Sequence, residues 1–406
     1  MKTFVGFEEA LELTLAHAAP GPLRELSLSE AVGRVLAEDV AAAVDSPSLS
    51  ASRKDGFAVV SADLHRAGPA SPVRLKLVGS LAAGETRALK IECGETVRVT
   101  TGARLPEGAE AVLTEEFCRV EGGFVFCRNT AGPGRNILER GTDVMKGQLV
   151  AGRGARLSPP LLGLIAAAGR AAVKTFAPPR VAVIATGDEV SAPGERLAEG
   201  GLYASNLVEI RAWLDSFGIP SESTIVKDRP EEIRAAIVGC LGRVDVFLTS
   251  GGAWGSERDL ILQAVEALEW NGVYHRVRMG PGKPVGFGLL AGKPFFVLPG
   301  GPPSNEMAFL QLALPAILKM AGAAPQAFPW MEARLTDTVT GEAGWTEFIH
   351  TRLEKHAEGL HARPARLKSR LRSMAEKQAL IVIPEGRAEI PSGEVIHVQV
   401  LDPRAL

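Results

Sequence analysis

The chain of 406 residues is too long for a single hydrophobic core, so we expect three or four domains. Its 46% apolar content, 23% charged content and net charge of −2 are ordinary for a soluble protein and give no electrostatic reason to expect nucleic acid or a membrane as a partner. The first residues turn acidic without forming the apolar core of a secretion signal, and no stretch reaches the roughly 18 apolar residues of a membrane span. We therefore expect a cytoplasmic protein.

The cysteines and histidines form no recognisable metal or catalytic motif. The four cysteines include no Cys-x-x-Cys pair, which favours free thiols in a reducing compartment. The nearest histidines are His350, His356 and His361, whose spacings do not share a helical face. The sequence also lacks a Gly-x-Ser-x-Gly elbow. A zinc enzyme and a serine-type triad are therefore not expected.

The first part of the chain, residues 1–172, reads as a helical and extended region with a small β-rich domain inserted at about 53–130. Apolar residues at helical spacing predict helices over 7–17, 29–37 and 158–168. Short β-like runs separated by Gly and Pro turns predict the strands of the inserted domain. These runs are 73–78, 96–100, 111–115 and 123–127.

From Arg180 onward, strands alternate with helices of ten or more residues, a pattern that predicts βαβ units. We therefore expect an α/β multidomain protein whose domain 173–325 holds a doubly wound, mostly parallel sheet. The predicted strands are 181–186, 222–227, 244–249, 273–278 and 294–298, and the predicted helices are 205–217, 230–241, 257–269 and 303–320. An Ala- and Pro-rich linker then leads to domain 326–406, where short strands at 346–353, 379–384 and 395–401 predict a small β barrel or sandwich.

Three of the predicted strands run directly into glycine-rich or acidic turns, within the segments Val181–Glu189, Val244–Gly252 and Pro294–Ser304. Because ligands of open α/β sheets bind outside the carboxyl ends of the strands, these turns should meet around one phosphorylated ligand. Backbone N–H groups of the turns and a loop lysine suit an anion, although each motif alone also fits a plain turn or a solvated lysine. The candidate binding residues are Thr186, Gly187, Asp188, Glu189, Ser250, Gly251, Gly252, Lys283, Pro299, Gly300 and Pro302.

Three carboxylates should lie at the same edge of the sheet. Glu189 follows the first strand, whereas Asp228 and Asp259 each precede a predicted helix. The two aspartates could simply cap those helices. Taken together, however, the three carboxylates beside anion-binding turns suit a Mg²⁺ ion that bridges a phosphate.

These motifs, in this order, resemble the MoeA family of molybdopterin molybdenumtransferases, which includes the gephyrin E domain. The resemblance covers essentially the whole chain. Its motifs are Lys54–Val59, Val99–Val112, Gly141–Val144, Ala185–Val190, Ser250–Gly252, Pro281–Pro284, Leu298–Gly300 and Leu380–Glu385.

The resemblance implies insertion of molybdate into the dithiolene of adenylated molybdopterin, with Mg²⁺ required and AMP released. It also implies a MogA-like fold for the doubly wound domain, a C-terminal β barrel and a homodimer with its pterin site near the dimer interface. A molybdopterin adenylyltransferase and a molybdoenzyme would be the protein partners. Family positions linked to activity match Asp55, Thr101, Asp143, Glu189, Asp228, Asp259, Arg276 (usually lysine), Pro299 and Pro302.

The chain departs from the usual family pattern in its site loops. Ala51 and Lys54 replace an asparagine and a methionine, Gly301 replaces an asparagine, and Trp254 and Arg258 enter the loop after Ser250–Gly252. Trp254 could stack on a pterin or block it. Two alternatives follow from these changes: a divergent paralogue that binds a pterin or tungstate with altered chemistry, and a non-catalytic dimeric scaffold.

Overall fold

A computed structural model describes residues 1–251, 260–266, 268–365 and 368–401. The chain begins with strand β1 (Lys2–Gly6) and helix α1 (Phe7–Ala16). Both pack against the α/β sheet described below, with Val5 and Ala10 buried in its core. Within the described residues, no helix is long and apolar enough to cross a membrane.

The rest of the N-terminal region is mostly β-structure. Six strands form one sheet in the order β8-β5-β7-β6-β10-β9, which confirms the small β-rich domain expected from the sequence. The elements after α1 are β2 (Leu23–Ser27), β3 (Val40–Ala41), β4 (Ala51–Ser52), β5 (Gly56–Val59), β6 (Val73–Leu81), β7 (Glu95–Val99), β8 (Ala111–Thr114), β9 (Cys118–Glu121), β10 (Phe124–Cys127), β11 (Ile137–Leu138), β12 (Leu149–Ala151), α2 (Pro159–Ala167) and β13 (Ala172–Phe176).

The helix predicted over 29–37 is wrong, because the structure has turns there. Gly33 has a φ of 75°, in the left-handed region that ends a right-handed helix. The amide of Leu36 then bonds to the carbonyl of Ala155 across the domain rather than within a helix. Tertiary pairing has overridden the local helical spacing.

The middle of the chain forms a doubly wound α/β domain. Its sheet has the order β17-β14-β18-β21-β20-β19, with β1 beside β19. The elements are β14 (Val181–Thr186), β15 (Val190–Ser191), β16 (Leu202–Tyr203), α3 (Ser205–Ser216), β17 (Ser221–Val226), α4 (Pro230–Cys240), β18 (Val246–Ser250), α5 (Leu260–Glu266), β19 (Trp270–Gly280), β20 (Gly286–Leu290), β21 (Lys293–Leu298), α6 (Pro302–Ala308), a π-helical turn (Phe309–Ala313) and α7 (Leu314–Met320).

Both faces of this sheet are covered, which explains the uninterrupted apolar strands. Along β14, Val181, Val183 and Ala185 face the layer formed by α3, α6 and α7, and Ala182 and Ile184 face the layer formed by α4 and α5. The four strands β17, β14, β18 and β21 are parallel, as the βαβ pattern predicts.

The remaining strands of the sheet form an antiparallel extension, in which β20 pairs with both β21 and β19. The sequence did not predict β20, whose two glycines are typical of a loop. Gly288 is required there because a Cβ atom would lie 2.4 Å from the indole ring of Trp270. The glycine therefore makes room for an aromatic ring rather than ending a strand.

The C-terminal region closes into a five-stranded barrel in the order β24-β25-β22-β28-β26, with β26 returning to β24. This confirms the predicted β barrel. Met279 and Gly280 of β19 also pair with Thr346 and Glu347, so the barrel continues the α/β sheet. The elements are β22 (Trp330–Leu335), β23 (Val339–Thr340), β24 (Thr346–His356), β25 (Gly359–Pro364), α8 (Arg370–Glu376), β26 (Ala379–Ile383), β27 (Glu389–Ile390) and β28 (Val395–Val400).

Candidate active site

The turns that follow β14, β18 and β21 touch one another at the carboxyl edge of the parallel sheet. Gly251 has a φ of 105°, and a Cβ atom on it would lie only 2.6 Å from the carbonyl oxygen of Thr186. A Cβ atom on Gly300 would in turn lie 3.6 Å from the Cα atom of Gly251. The backbone approach of these turns forms the floor of a crevice, as the strand order predicts.

Two asparagine amides hold the floor together. Nδ2 of Asn206 donates to Ser250 Oγ at 3.2 Å and to the carbonyl of Gly300 at 2.9 Å. Nδ2 of Asn305 donates to the same Ser250 Oγ at 3.0 Å and to the carbonyl of Pro299 at 2.8 Å. Ser250 and the Pro299–Gly300 turn are therefore fixed in position before any ligand binds.

Sequence reasoning missed both asparagines. Asn206 lies at the start of α3, where an asparagine is usually interpreted as a helix cap. The N-cap of α3 is Ala204, and no side chain caps the helix. The Asn206 amide instead donates its hydrogen bonds to the crevice floor. Asn305 lies in the first turn of α6 and is 2% exposed. The signal that the sequence offered for Asn305 was its position just after the Pro299–Pro303 turn.

At the β17 side of the crevice, the acidic groups Asp188, Glu189 and Asp228 lie close together. The amide of Asp228 donates to Oδ1 of Asp188 at 3.4 Å, and Lys227 Nζ donates to the carbonyl of Asp188 at 2.9 Å. Burial, followed by the negative charges of Glu189 and Asp188, raises the pKa of Asp228 above its usual value. A cation placed here would relieve that repulsion.

The expected capping role of Asp228 is not observed. The N-cap of α4 is Arg229, and no side-chain hydrogen bond caps the helix. The third predicted carboxylate, Asp259, lies outside the described residues, as do Gly252, Trp254 and Arg258. Among the residues that the structure describes, no group of three potential ligands is arranged to hold a metal ion.

Two predicted cations lie on and just after β19, two strands beyond β21 in the sheet. Arg276, on β19, is exposed and has a φ of 60°, a strained backbone conformation that often marks functional positions. Lys283, in the turn between β19 and β20, is also exposed, and its Nζ lies 5.4 Å from the ring centre of Phe4 and 5.2 Å from that of Trp345. Burial and Arg276 lower the pKa of the neighbouring His275 to about 4.

The strand order sets the distance between the acidic and the basic side. Five inter-strand steps separate β17 from β19, so the two strands lie about 24 Å apart across the sheet, at roughly 4.8 Å per step. Pro302, the first residue of α6, lies between these ends with Pro299 and Gly300. The acidic residues that follow β17 are therefore far across the sheet from Arg276 of β19.

A separate cavity of about 890 Å³ lies beside the crevice, at the outer edge of β17. Its lining includes Arg211 and Lys227 but none of the predicted binding residues.

A second group of predicted residues lies in the N-terminal region. Asp55 Oδ1 accepts a 2.6 Å bond from the amide of Thr101 and a 3.0 Å bond from Thr101 Oγ1. These two bonds lower the pKa of Asp55, so its side chain is ionised at neutral pH. Asp143 Oδ2 accepts a bond of 3.4 Å from Ser46 Oγ. Across the described ranges, no hydrogen bond or ion pair joins these residues to the crevice.

Comparison with known proteins defines the class of this chain. Residues 182–319 match the profile of a probable molybdopterin binding domain, and the flanking residues 5–169 and 332–401 match the MoeA N-terminal region (domain I and II) and the MoeA C-terminal region (domain IV). A Mycobacterium tuberculosis protein named molybdopterin molybdenumtransferase 2 is 32% identical, over 91% of this chain and 93% of its own. The chain belongs to the MoeA family.

Two further comparisons agree with this assignment. The crystal structure of the molybdopterin biosynthesis MoeA protein from Pyrococcus horikoshii superposes with a TM-score of 0.81 at 32% identity, covering 98% of this chain and 99% of that one. A Haemophilus influenzae protein named molybdopterin molybdenumtransferase is 32% identical over 75% of this chain and 74% of its own. The family resemblance and the multidomain fold class are thereby confirmed.

Proposed function

We propose that this chain is a molybdopterin molybdenumtransferase, which inserts molybdate into the dithiolene of adenylated molybdopterin and releases AMP. The observation that carries the proposal is the meeting of the Thr186, Ser250–Gly251 and Pro299–Gly300 turns within a region that matches a molybdopterin-binding profile. Adenylated molybdopterin is an anionic molecule, and the backbone N–H groups of these glycine turns suit its phosphates. Molybdate and the pterin are substrates here rather than resident cofactors.

Mg²⁺ would bind at the acidic side of the crevice. Glu189 and Asp228 would hold it together with Asp259, and the raised pKa of Asp228 supports this fit because a cation would stabilise its ionised form. When bound, the ion would neutralise charge on the phosphate that leaves with AMP. The backbone N–H groups of the turns, with Arg276 and Lys283, would bind the phosphate or oxyanion.

We further propose that the protein acts as a cytoplasmic homodimer, handing its product to a molybdoenzyme after receiving its substrate from a molybdopterin adenylyltransferase. Asp55, Thr101 and Asp143 support the dimer because, among the described residues, none of them bonds to the crevice of its own chain. In a two-fold dimer, the N-terminal region of one chain can complete the crevice of the other.

Mixed dimers test both the activity and this arrangement. Asp55→Asn and Asp228→Ala should each be inactive alone. Co-expressed, they should regain about a quarter of the wild-type AMP release, because half of randomly assorted dimers carry one intact crevice of two. No recovery would show that the residues act within one chain. An inactive wild type, binding pterin but releasing no AMP, would instead support the paralogue or scaffold.

A further inference from the structure

A buried ion pair joins the C-terminal barrel to the helices behind the crevice. Lys377, which follows α8, donates a hydrogen bond through Nζ to Glu306 Oε1 of α6 and another to the carbonyl of Met374 at 2.9 Å. The side chains of Glu306 and Lys377 are only 1% and 5% exposed. Charged groups of this kind are rarely buried unless paired, and a buried pair is no more stabilising than well-packed apolar residues. This suggests that the pair serves geometry rather than stability.

Other groups complete the cluster around Glu306. His350 of β24 places Nε2 at 3.8 Å from Glu306 Oε2, and its Nδ1 lies 2.9 Å from Ser373 Oγ. Glu209 of α3 shares a hydrogen bond with Glu306, and its burial, with the nearby Glu306 carboxylate, raises its pKa to about 8. Lys377 provides the ammonium group that pairs directly with the Glu306 carboxylate. We call Glu209, Glu306, His350 and Lys377 the buried cluster.

The buried cluster lies directly behind the crevice floor. Glu306 is the neighbour of Asn305, whose amide holds Ser250 and Pro299. Glu209 lies one helical turn after Asn206, whose amide holds Ser250 and Gly300, and positions three residues apart share a helix face. Both asparagines of the crevice floor are thus attached to helices that the cluster fixes against the barrel.

We propose that Glu306 is a positioning residue for molybdenum insertion: its bond to Lys377 fixes the first turn of α6 against the C-terminal barrel, and thereby sets the position of Asn305 and of the Pro299–Ser250 side of the crevice. This inference deepens the function proposed above and rests on it. It assigns the barrel a role in substrate binding without contact between the barrel and the substrate.

Single and double variants that neutralise Glu306 and Lys377 distinguish a positioning role of the pair from a contribution to stability. Lys377→Met and Glu306→Gln should each destabilise the protein and raise KM for adenylated molybdopterin by about 10-fold, with a smaller change in kcat. The double variant should regain thermal stability because no unpaired charge remains, whereas its KM should stay raised. Lys377→Arg, which keeps the charge, should recover KM. A double variant in which KM recovers together with stability would reduce the pair to a structural role.

Amide hydrogen exchange without substrate gives a readout that does not depend on activity. We expect the amides of Gly300, Gly301, Ser304 and Asn305 to exchange at least about 10-fold faster in the double variant than in the wild type, with the core strand β14 unchanged. Equal exchange would overturn the positioning role. If the wild type released no AMP, the proposed function would fail, but this comparison would still decide the role of Glu306.

The dependence on pH follows from Glu209. The charged groups that face it are Glu306 and Lys377, with Trp213 as a hydrogen-bond partner, and His350 faces Glu306. Since the pKa of Glu209 rises from 4.5 to about 8 on folding, its contribution to stability is fully present below 4.5 and is lost as the pH rises through about 8. KM should therefore increase between pH 7 and 9, and Glu209→Gln should flatten that increase. An identical pH profile in the variant would exclude Glu209.

Discussion

Replacing Asp228 with alanine should lower turnover by about 100-fold to 1000-fold while the protein remains at least as stable as the wild type. The reason is the conflict at this position: burial and the charges of Glu189 and Asp188 raise the pKa of Asp228, so its ionised form is unfavourable in the folded protein. Removing it relieves repulsion but takes a carboxylate from the proposed Mg²⁺ site. AMP release and the thermal midpoint, measured on the same preparation, check the two halves of this prediction.

Glu231→Ala is the matched control, because Glu231 is an exposed acid in the first turn of the helix that follows Asp228. It removes the same charge nearby and should change turnover by no more than about twofold. Asp228→Asn should resemble the alanine variant, since an amide is a poor substitute for a carboxylate ligand of Mg²⁺. If Asp228→Ala kept its turnover and lost stability, the aspartate would be structural and the proposed metal site wrong.

Gly251→Ala should destabilise the α/β domain by about 3 kcal/mol and reduce turnover by at least about 100-fold. Its Cβ atom would lie 2.6 Å from the carbonyl oxygen of Thr186, and its φ of 105° is a conformation that alanine rarely adopts. The β14 and β18 turns would have to separate, displacing Ser250 from the two asparagine amides. Urea unfolding and steady-state kinetics measure the two effects.

Gly301→Ala provides the comparison, because a Cβ atom at Gly301 meets nothing within 4 Å and its φ of −69° suits any residue. Its effect on stability should stay within about 0.5 kcal/mol. Similar effects for the two substitutions would mean that the close approach of Gly251 to Thr186 does not set the geometry of the crevice.

The fold was largely predictable from hydrophobic periodicity, because β14, β18 and β21 are buried on both faces and end in glycine turns. Elements whose secondary structure depends on contacts with residues far along the chain were not predictable in this way. Strand β20 contains a glycine that makes room for Trp270. Within the segment 29–37, the amide of Leu36 bonds to the carbonyl of Ala155 instead of forming a helical hydrogen bond. In both cases a contact made far along the chain outweighs the local propensity.

The candidate site was predictable only where a motif lies on a strand end. The sequence placed Thr186–Glu189, Ser250 and Pro299–Gly300 at one edge, and the structure brings these turns together. The bonds of Asn206 and Asn305 depend on how α3 and α6 pack, which one sequence does not reveal. The separation of Asp55 from the crevice is likewise a property of domain arrangement rather than of any motif.

The most direct test of the proposed activity is AMP release from adenylated molybdopterin by the wild-type protein, followed with Mg²⁺ present while molybdate is added or withheld. We expect stoichiometric release only when molybdate is present, with molybdenum retained on the pterin. Release that is independent of the oxyanion, or binding of the pterin without release under any condition, would contradict the assignment of this crevice to molybdenum insertion.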